Sequence, residues 1–542
     1  MLLKNAGHLL PWGKQPAWFA LAVSALIALA TTEPQAAATT NTPYEDWVVY
    51  WTAQNPTFAG VSELSADPDN DGYPNNTEFA FDGNPMAPTA SLLGSATSGN
   101  NAVVSFAARN TDPAGAAYQV QSTTDLSMGF ADDTSVSLIE GNPEGILVPA
   151  QYHRLQFVVP FAGSRKFYRV RAAPDYSAVY FAANPDGTNS IVALTRDLST
   201  GLLTYLGSFD SGGNGLTAIQ GGQAHAVVAH GSFLYAVNSG SGNFSTFGIG
   251  QNGQLTLLAT TSSGGERPVS IAIHGNLLYV LNQGIAATEA GGPVDAGVTP
   301  FFLGVDGIPA PAPVPGVSLP STDAPADIVF TGNGQRLAVT CSGANTIRSF
   351  SVSASGGLSN EQSVEVGSQP VGGASNGHLP WCAFATVVEN PGPASVVSFN
   401  AESTLALVSQ VAAAADQDPC WATTDTEGSR LWTSNFLPRS LTLYSIASNG
   451  SLVRMGTHQP EPGDNGPGAL DVGVSSDGRF LYRLRAFNSD GSPTPPHPYP
   501  IVEVFEITDN PSAGDLSLIQ SVPVEIESLR YASPSGMAVA SP

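Results

Sequence analysis

The chain has 542 residues, including 57 glycines and 42 prolines, and only 12% of its residues are charged. This composition favours short strands joined by tight turns over long charged helices, and the length allows one large β domain with appended segments. The net charge of -25 argues against nucleic acid as a partner, since phosphate binding requires clustered Lys and Arg, and it disfavours anionic membranes.

Residues 1–38 have the pattern of a secretory signal. Lys4 and Lys14 give a basic start, and the apolar stretch at residues 18–30 (WFALAVSALIALA) is short for a membrane span and is followed by small residues. We therefore expect an exported protein, either periplasmic, cell-surface or secreted, with no membrane span after signal removal. An uncleaved N-terminal anchor is the alternative.

Residues 39–92 are predicted to form a small helical, EF-hand-like segment around a calcium loop. Residues 67–78 (DPDNDGYPNNTE) match the D-x-D-x-D-G-x₅-E pattern position for position, and alternating carboxylates on a tight loop supply the oxygen ligands that Ca²⁺ requires. The expected ligands are Asp67, Asp69, Asp71, Tyr73 through its backbone carbonyl, Asn75 and Glu78. The segment resembles the single calcium loops of dockerin-like and thrombospondin-3-like units, which implies a structural role for the metal. An acidic turn without metal is the alternative.

Residues 93–173 are predicted to form a small β module. Short alternating strands are expected at residues 103–106, 118–122, 155–159 and 167–171. No chemistry is expected of this module, and a spacer or adhesive role is the simplest interpretation.

From residue 176 to the C-terminus the chain repeats itself. A Leu-aromatic pair recurs, as in Leu234-Tyr235 and Leu278-Tyr279, and a Gly-containing turn recurs before a Leu, as in Gly253-Gln254-Leu255. The units have the length of four-stranded propeller blades, and such blades must cover one another's apolar faces in a closed ring. We therefore predict a mainly β fold with a seven-bladed β-propeller at residues 176–542. The first unit lacks its opening strand, and residues 534–540 are expected to supply it.

Two units carry long insertions, at residues 284–297 in the third blade and at residues 487–500 in the seventh. Loops of this length usually carry function or disorder. The three cysteines, Cys341, Cys382 and Cys420, are too few for a disulfide scaffold. One bridge, Cys382 to Cys420, is possible, but buried small hydrophobic residues are the favoured interpretation.

Several stretches resemble the lactonase-type seven-bladed propellers, the group that contains bacterial 6-phosphogluconolactonase and the fungal carboxymuconate cyclase. The resemblance rests on residues 233–238 (FLYAVN), 267–270 (RPVS), 278–282 (LYVLN), 419–422 (PCWA) and 476–482 (SDGRFLY). It covers about two-thirds of the chain and implies fold more strongly than activity.

The resemblance implies that His, Arg and Glu near the central channel act on lactones or hydroxy acids without a metal. The candidate catalytic residues are His225, as general acid or base, Glu266, which would assist it, and Arg267, which would hold a substrate carboxylate. Residues 267–270 replace a His-Pro-His of the family. The alternative for His225 is a hydrogen bond to a neighbouring blade. No cofactor is expected in the propeller.

Aspartates recur at the starts of several blades, at Asp323, Asp327, Asp418 and Asp471. They are expected to ring the channel, where they would bind cations or repel anions. A phosphorylated sugar would suit such a channel poorly.

Two functions follow from these features. The first is an exported propeller of lactonase-like ancestry that acts as a binding or surface scaffold for a small molecule or an extracellular partner. The alternative is a lactonase-like hydrolase or isomerase that acts at the channel mouth through His225, Glu266 and Arg267. If these three residues do not converge on one pocket at the channel mouth, this catalytic arrangement fails.

Overall fold

A computed structural model describes seven short strands between residues 93 and 174, and residues 177–540 apart from short gaps. The gaps are 218–222, 251–252, 305–306, 332–333, 389–392, 402–403, 415–417, 437, 462–465, 487–498 and 530–533. The predicted signal, the predicted calcium loop and most of the insertion at residues 487–500 lie outside the described residues.

The first part of the described chain consists of two small antiparallel sheets. In chain order the strands are β1 Leu93–Ser98, β2 Asn101–Arg109, β3 Ala116–Thr123, β4 Ala131–Asp132, β5 Ile139–Glu140, β6 Tyr152–Pro160 and β7 Phe167–Pro174. One sheet has the order β1-β2-β6-β5 and the other has the order β4-β3-β7. The four strands expected from the sequence correspond to β2, β3, β6 and β7.

The rest of the described chain forms seven consecutive antiparallel sheets, the blades of a propeller. Blade 1 contains β8 Ala178–Ala182, β9 Gly187–Arg196 and β10 Leu203–Gly215; blade 2 contains β11 Val227–His230, β12 Phe233–Asn238, β13 Asn243–Ile249 and β14 Leu255–Ser262; blade 3 contains β15 Pro268–His274, β16 Leu277–Asn282, β17 Ala296–Leu303, β18 Pro309–Pro311 and β19 Val317–Leu319.

The remaining blades repeat this order. Blade 4 contains β20 Pro325–Phe330, β21 Arg336–Cys341, β22 Thr346–Val352 and β23 Leu358–Glu365; blade 5 contains β24 Gln369–Ser375, β25 Cys382–Val388, β26 Ser395–Asn400 and β27 Ala406–Ala412; blade 6 contains β28 Pro419–Thr424, β29 Arg430–Asn435, β30 Ser440–Ile446 and β31 Leu452–His458; blade 7 contains β32 Gly468–Val474, β33 Phe480–Ala486, β34 Ile501–Ile507 and β35 Leu516–Pro523.

The C-terminal strand β36, Ser535–Ala540, pairs with β8 and is therefore the innermost strand of blade 1. The innermost strands contact one another around a closed ring, in the order β36, β11, β15, β20, β24, β28, β32 and back to β36. The predicted mainly β fold with a seven-bladed propeller is confirmed.

Burial along the strands follows from this geometry. Inner strands are covered on both faces, and all six residues of β20 are buried, whereas the outermost strand β14 is mostly exposed. The apolar core is divided into clusters that each lie between neighbouring blades, as where Tyr235 of blade 2 packs with Ile271 and Phe301 of blade 3. Full burial of such a side chain contributes about 1.5–3 kcal/mol. Each blade therefore depends on its neighbours for its stability.

The helices among the described residues are single 3-10 turns at Ser321–Asp323, Pro511–Ala513 and Glu527–Leu529. In this part of the chain no helix has the length and apolar character needed to cross a membrane. Cys341, Cys382 and Cys420 are free thiols; Cys341 and Cys382 are buried, and Cys420 is partly buried.

Candidate active site in the propeller channel

The innermost strands share an irregularity that positions the site. Register shifts occur near the start of six of them, including the steps from Pro268 to Ser270, from Pro325 to Asp327 and from Ala469 to Val472. A β-bulge leaves a residue unpaired and redirects neighbouring side chains, and proline is tolerated there because it has no N–H to donate. Polar side chains at these positions are thereby directed away from the regular ladder.

Asp327 on β20 is the best-anchored polar residue of this layer. Its carboxylate is 1% exposed and accepts hydrogen bonds from Ser270 Oγ at 2.6 Å, from the backbone N–H of Ile328 at 2.9 Å and from that of Gly373 at 2.7 Å. These donors come from three successive blades. A buried carboxylate requires such compensation, since an unpaired buried charge costs several kcal/mol, of order 3–5.

His225 completes the set of donors to Asp327. Its Nδ1 lies 3.0 Å from Oδ1 and 3.1 Å from Oδ2 of Asp327, although His225 belongs to blade 2 and Asp327 to blade 4. Because a carboxylate only accepts hydrogen bonds, Nδ1 carries the proton. Nε2 has no hydrogen-bond partner among the described residues, and the side chain remains 39% exposed. The ring is thus anchored at one nitrogen and open to a ligand at the other.

The backbone at His225 has a left-handed conformation, with φ of 52°, and Arg267 and Ala324 have similar values just before β15 and β20. A non-glycine residue pays about 1–2 kcal/mol for this conformation. The carbonyl of His225 accepts a hydrogen bond from Ile271 N–H at 3.0 Å. The neighbouring blade therefore holds the turn that presents the imidazole.

Asp471 on β32 is a second buried carboxylate in the electrostatic environment of His225 and Asp327. Its Oδ1 accepts from Val472 N–H at 2.8 Å, and its Oδ2 accepts from Met537 N–H at 2.7 Å. We refer to His225, Asp327 and Asp471 as the channel cluster.

Two pKa shifts follow from this arrangement. Burial alone lowers the pKa of His225, but the charge of Asp327, the hydrogen bond that His225 donates to Asp327 and the charge of Asp471 outweigh it and raise the pKa to about 9. Burial raises the pKa of Asp471 to about 6, against the opposing effects of His225 and the two backbone N–H groups. At neutral pH His225 is therefore an imidazolium, which carries an N–H at both nitrogens.

The other two predicted catalytic residues have different surroundings. The Arg267 guanidinium forms an ion pair with Glu289, which belongs to the insertion at residues 284–297. Glu266 is exposed, and its carbonyl accepts from Gly284 N–H at 3.0 Å. Within the described chain no hydrogen bond or ion pair joins His225, Glu266 and Arg267 to one another. Arg267 therefore contacts a carboxylate of its own blade.

Of the aspartates noted in the sequence, Asp327 and Asp471 join His225 in the channel cluster. Asp323 instead forms an ion pair with Arg348 at 2.7 Å. No group of three His, Cys, Asp or Glu residues in the described part of the chain has the arrangement of a metal site. The recurrence of Asp at blade starts was the sequence signal for Asp327 and Asp471. It did not show which of the four aspartates would contact His225.

One family model, described as Lactonase, 7-bladed beta-propeller, matches residues 188–287, a segment that includes His225, Glu266 and Arg267. No curated protein matches the chain.

Solved propellers of several kinds are similar to the chain. A candidate 6-phosphogluconolactonase from Bacteroides uniformis is 18% identical with a TM-score of 0.50, and the match covers 68% of this chain and 100% of that one. The periplasmic gluconolactonase of Pseudomonas aeruginosa is 16% identical with a TM-score of 0.50, covering 68% and 99%. A hypothetical selenium-binding protein from Sulfolobus tokodaii is 12% identical with the same TM-score, covering 68% and 94%.

Proteins with such different names match equally well, so these similarities show the fold alone. The chain contains a lactonase-like seven-bladed β-propeller.

Proposed function

We propose that the protein hydrolyses an uncharged lactone in the propeller channel, with His225 as the residue that activates the lactone carbonyl. The observation that carries the proposal is the anchoring of His225 Nδ1 by the buried Asp327, which leaves Nε2 unpartnered within the described residues. An imidazole fixed by a carboxylate at one nitrogen is a common arrangement for acid–base work at the other.

The charge of His225 defines its part in the reaction. As an imidazolium it donates its Nε2–H to the carbonyl oxygen of the lactone and stabilises the negative charge that develops there when water attacks. A single preorganised donor of this kind contributes about 10²–10³-fold in rate. The buried Asp327 keeps the ring charged and fixed in orientation, so little reorganisation accompanies the attack.

The charges around the site favour an unphosphorylated substrate. Two buried carboxylates accompany one imidazolium in the channel cluster, and Arg267 is paired with Glu289. The chain as a whole has a net charge of -25. A phosphate dianion would be repelled, whereas a neutral sugar-type lactone would not. The Pseudomonas aeruginosa neighbour is named a gluconolactonase, without a phosphate, and export of this protein as predicted from residues 1–38 agrees with such a substrate.

The test is lactone hydrolysis by the purified protein, followed in a pH-stat. We expect turnover of uncharged γ- or δ-lactones of sugar acids, with a much lower kcat/KM for the phosphorylated counterpart. If the parent hydrolyses neither the uncharged nor the phosphorylated lactones, the proposal is contradicted and the binding or surface-scaffold function is favoured.

A further inference from the structure

Asp471 and Asp327 occupy matching positions on their blades. Each is buried on an innermost strand, and each accepts a backbone N–H from the residue that follows it, Val472 or Ile328. Each also accepts one from the innermost strand of the next blade, Met537 or Gly373. The two carboxylates therefore have the same scaffold but not the same remaining partners.

The difference lies in their unused acceptor capacity. A carboxylate has about four lone-pair positions. Four groups donate to Asp327, namely Ser270 Oγ, His225 Nδ1 and the two backbone amides, so its capacity is used. Asp471 receives its two backbone amides, and the described residues supply no further donor. Asp471 retains room to accept a proton from water, and Asp327 does not.

We propose that Asp471 is the general base that activates water for attack on the lactone, with the His225 imidazolium as its electrophilic partner. The inference rests on the proposed lactone hydrolysis and assigns to Asp471 the role for which His225 is unsuited. A base must be unprotonated at the working pH, and its effectiveness is greatest when its pKa lies near that pH. The pKa of about 6 for Asp471 meets this requirement, and the value of about 9 for His225 does not.

In the proposed reaction a water oxygen forms a bond to the lactone carbonyl carbon, and Asp471 takes one proton from that water. The carbonyl π electrons move to the carbonyl oxygen, which accepts a hydrogen bond from His225 Nε2–H. The tetrahedral intermediate then re-forms its carbonyl and breaks the bond to the ring oxygen. The proton on Asp471 passes to that ring oxygen, which leaves as the hydroxyl of the product. Lactone and water thus give a hydroxy acid, and both residues return to their starting states.

Charged groups face Asp471 from several packed elements. His225 lowers its pKa and Asp327 raises it. On β33, Arg483 and Arg485 are both bound to Glu503.

The remaining neighbours of β32 are β29 and the innermost strands β28 and β36. On β29, Arg430 is paired with Asp425. On β28, burial raises the pKa of the Cys420 thiol well above its usual value, which keeps the thiol neutral in the relevant range. Strand β36, SGMAVA, has no ionisable side chain. The acid limb of a pH–rate profile near pH 6 therefore reports on Asp471.

The first test is the pH dependence of kcat/KM for the intact parent chain with an uncharged lactone. We expect the rate to fall below a pH of about 6. Asp471→Asn should lower kcat at least about 10²-fold, the usual contribution of a general base, and abolish the acid limb, with KM changed little. Asn retains an oxygen that accepts one backbone N–H, so circular dichroism and melting temperature serve to check the fold.

A second variant distinguishes a general-base role of Asp471 from a purely structural one. Formate added to Asp471→Ala should restore part of the turnover, because a free carboxylate can replace the missing one. An acid limb that persists in Asp471→Asn, or a parent with no acid limb, would overturn the inference while the proposed function stands. A parent that hydrolyses no lactone would overturn both. A variant that does not fold leaves the parent profile as the deciding measurement.

Discussion

At the scale of the residue, the site depends on one histidine whose surroundings come from several blades. The pKa of His225 is raised above its ordinary value of 6.5 to about 9, so its protonated form is favoured in the folded state. A group with a raised pKa stabilises the fold below its unfolded pKa, and this contribution is lost as the pH rises through the folded value.

The stability of the parent should therefore decrease as the pH rises from about 6.5 to about 9. His225→Asn should show a flatter melting temperature across this window, since an amide does not titrate. Asn places a donor near the position of Nδ1 and tolerates a left-handed backbone, so it preserves the contact with Asp327. His378→Asn, at an exposed position between β24 and β25, is the matched control and should follow the parent. Identical curves for the parent and His225→Asn would contradict the assigned ion pair.

The sequence allowed part of this site to be predicted. His225 was selected because of the family resemblance, and Asp327 and Asp471 because aspartates recur at blade starts. The contact between His225 and Asp327 could not be predicted from the sequence. It depends on the closed ring, which places blade 2 within reach of blade 4, and on the bulge that redirects Asp327. The catalytic roles of Glu266 and Arg267 stay predictions from the sequence.

At the scale of the element, neighbouring blades are joined by a recurring hydrogen bond. An aromatic side chain of one blade donates to the carbonyl of a turn glycine in the next. Tyr180 OH donates to Gly253 O at 2.8 Å, Tyr235 OH to Gly307 O at 2.8 Å, and Tyr279 OH to Gly356 O at 2.9 Å. Trp432 Nε1–H donates to Gly514 O at 2.8 Å, and Tyr482 OH donates to Gly201 O at 2.9 Å. An aromatic residue of one blade, in four of these five cases the second member of a Leu-aromatic pair, thus binds the glycine turn of the next.

The glycine of each such turn is required by conformation and space. Gly307 has φ of 72°, and a Cβ added there would lie 2.5 Å from the ring of Phe233. Gly201 has φ of 73°, and an added Cβ would lie 2.4 Å from the ring of Phe480. The repeat pattern predicted the turn at Gly201 but not the one at Gly307, which precedes Ile308 and not a Leu. The hydrogen bond between blades could not be read from the pattern, because its partners lie on different units.

Removing one of these hydroxyls should destabilise the propeller modestly. Tyr279→Phe leaves the carbonyl of Gly356 without its buried donor, and we expect a loss of about 1–3 kcal/mol in the free energy of unfolding. Tyr205→Phe, in which the hydroxyl of an exposed tyrosine is removed, is the control and should have no measurable effect. Urea denaturation of both variants measures the difference. Equal stabilities would show that the inter-blade bond contributes nothing.

At the scale of the whole molecule, the ring is closed by a strand from the far end of the chain. β36 pairs with β8, and Met537 N–H is bound by Asp471 of blade 7. Closure therefore connects blades 7 and 1 through the channel cluster itself.

A chain that ends at residue 534 should lose this closure. Blade 1 would expose the inner edge of β8, and blades 7 and 1 would no longer share a covered face. We expect little folded protein, as measured by near-UV circular dichroism and size-exclusion chromatography. A chain that ends at residue 540 keeps β36 and should resemble the parent. A stable, monomeric product from the shorter chain would show that the ring does not need its C-terminal strand.

The calcium loop at residues 67–78 remains a prediction from the sequence. Terbium luminescence or calorimetry of the full-length protein should detect one site, and the paired change Asp69→Asn with Glu78→Gln should abolish it, since these residues supply carboxylate ligands in the pattern. Because the expected role is structural, lactone turnover by the propeller should be unchanged. Absence of binding to the parent would favour the acidic turn without metal.

The role of His225 is tested most directly by the kcat/KM for hydrolysis of an uncharged sugar lactone by the parent, His225→Asn and His274→Asn. His225→Asn retains the contact with Asp327 but lacks Nε2, so we expect a loss of at least about 10²-fold. His274→Asn should equal the parent. Turnover by His225→Asn at the parent rate would contradict the central claim that the open nitrogen of His225 activates the substrate.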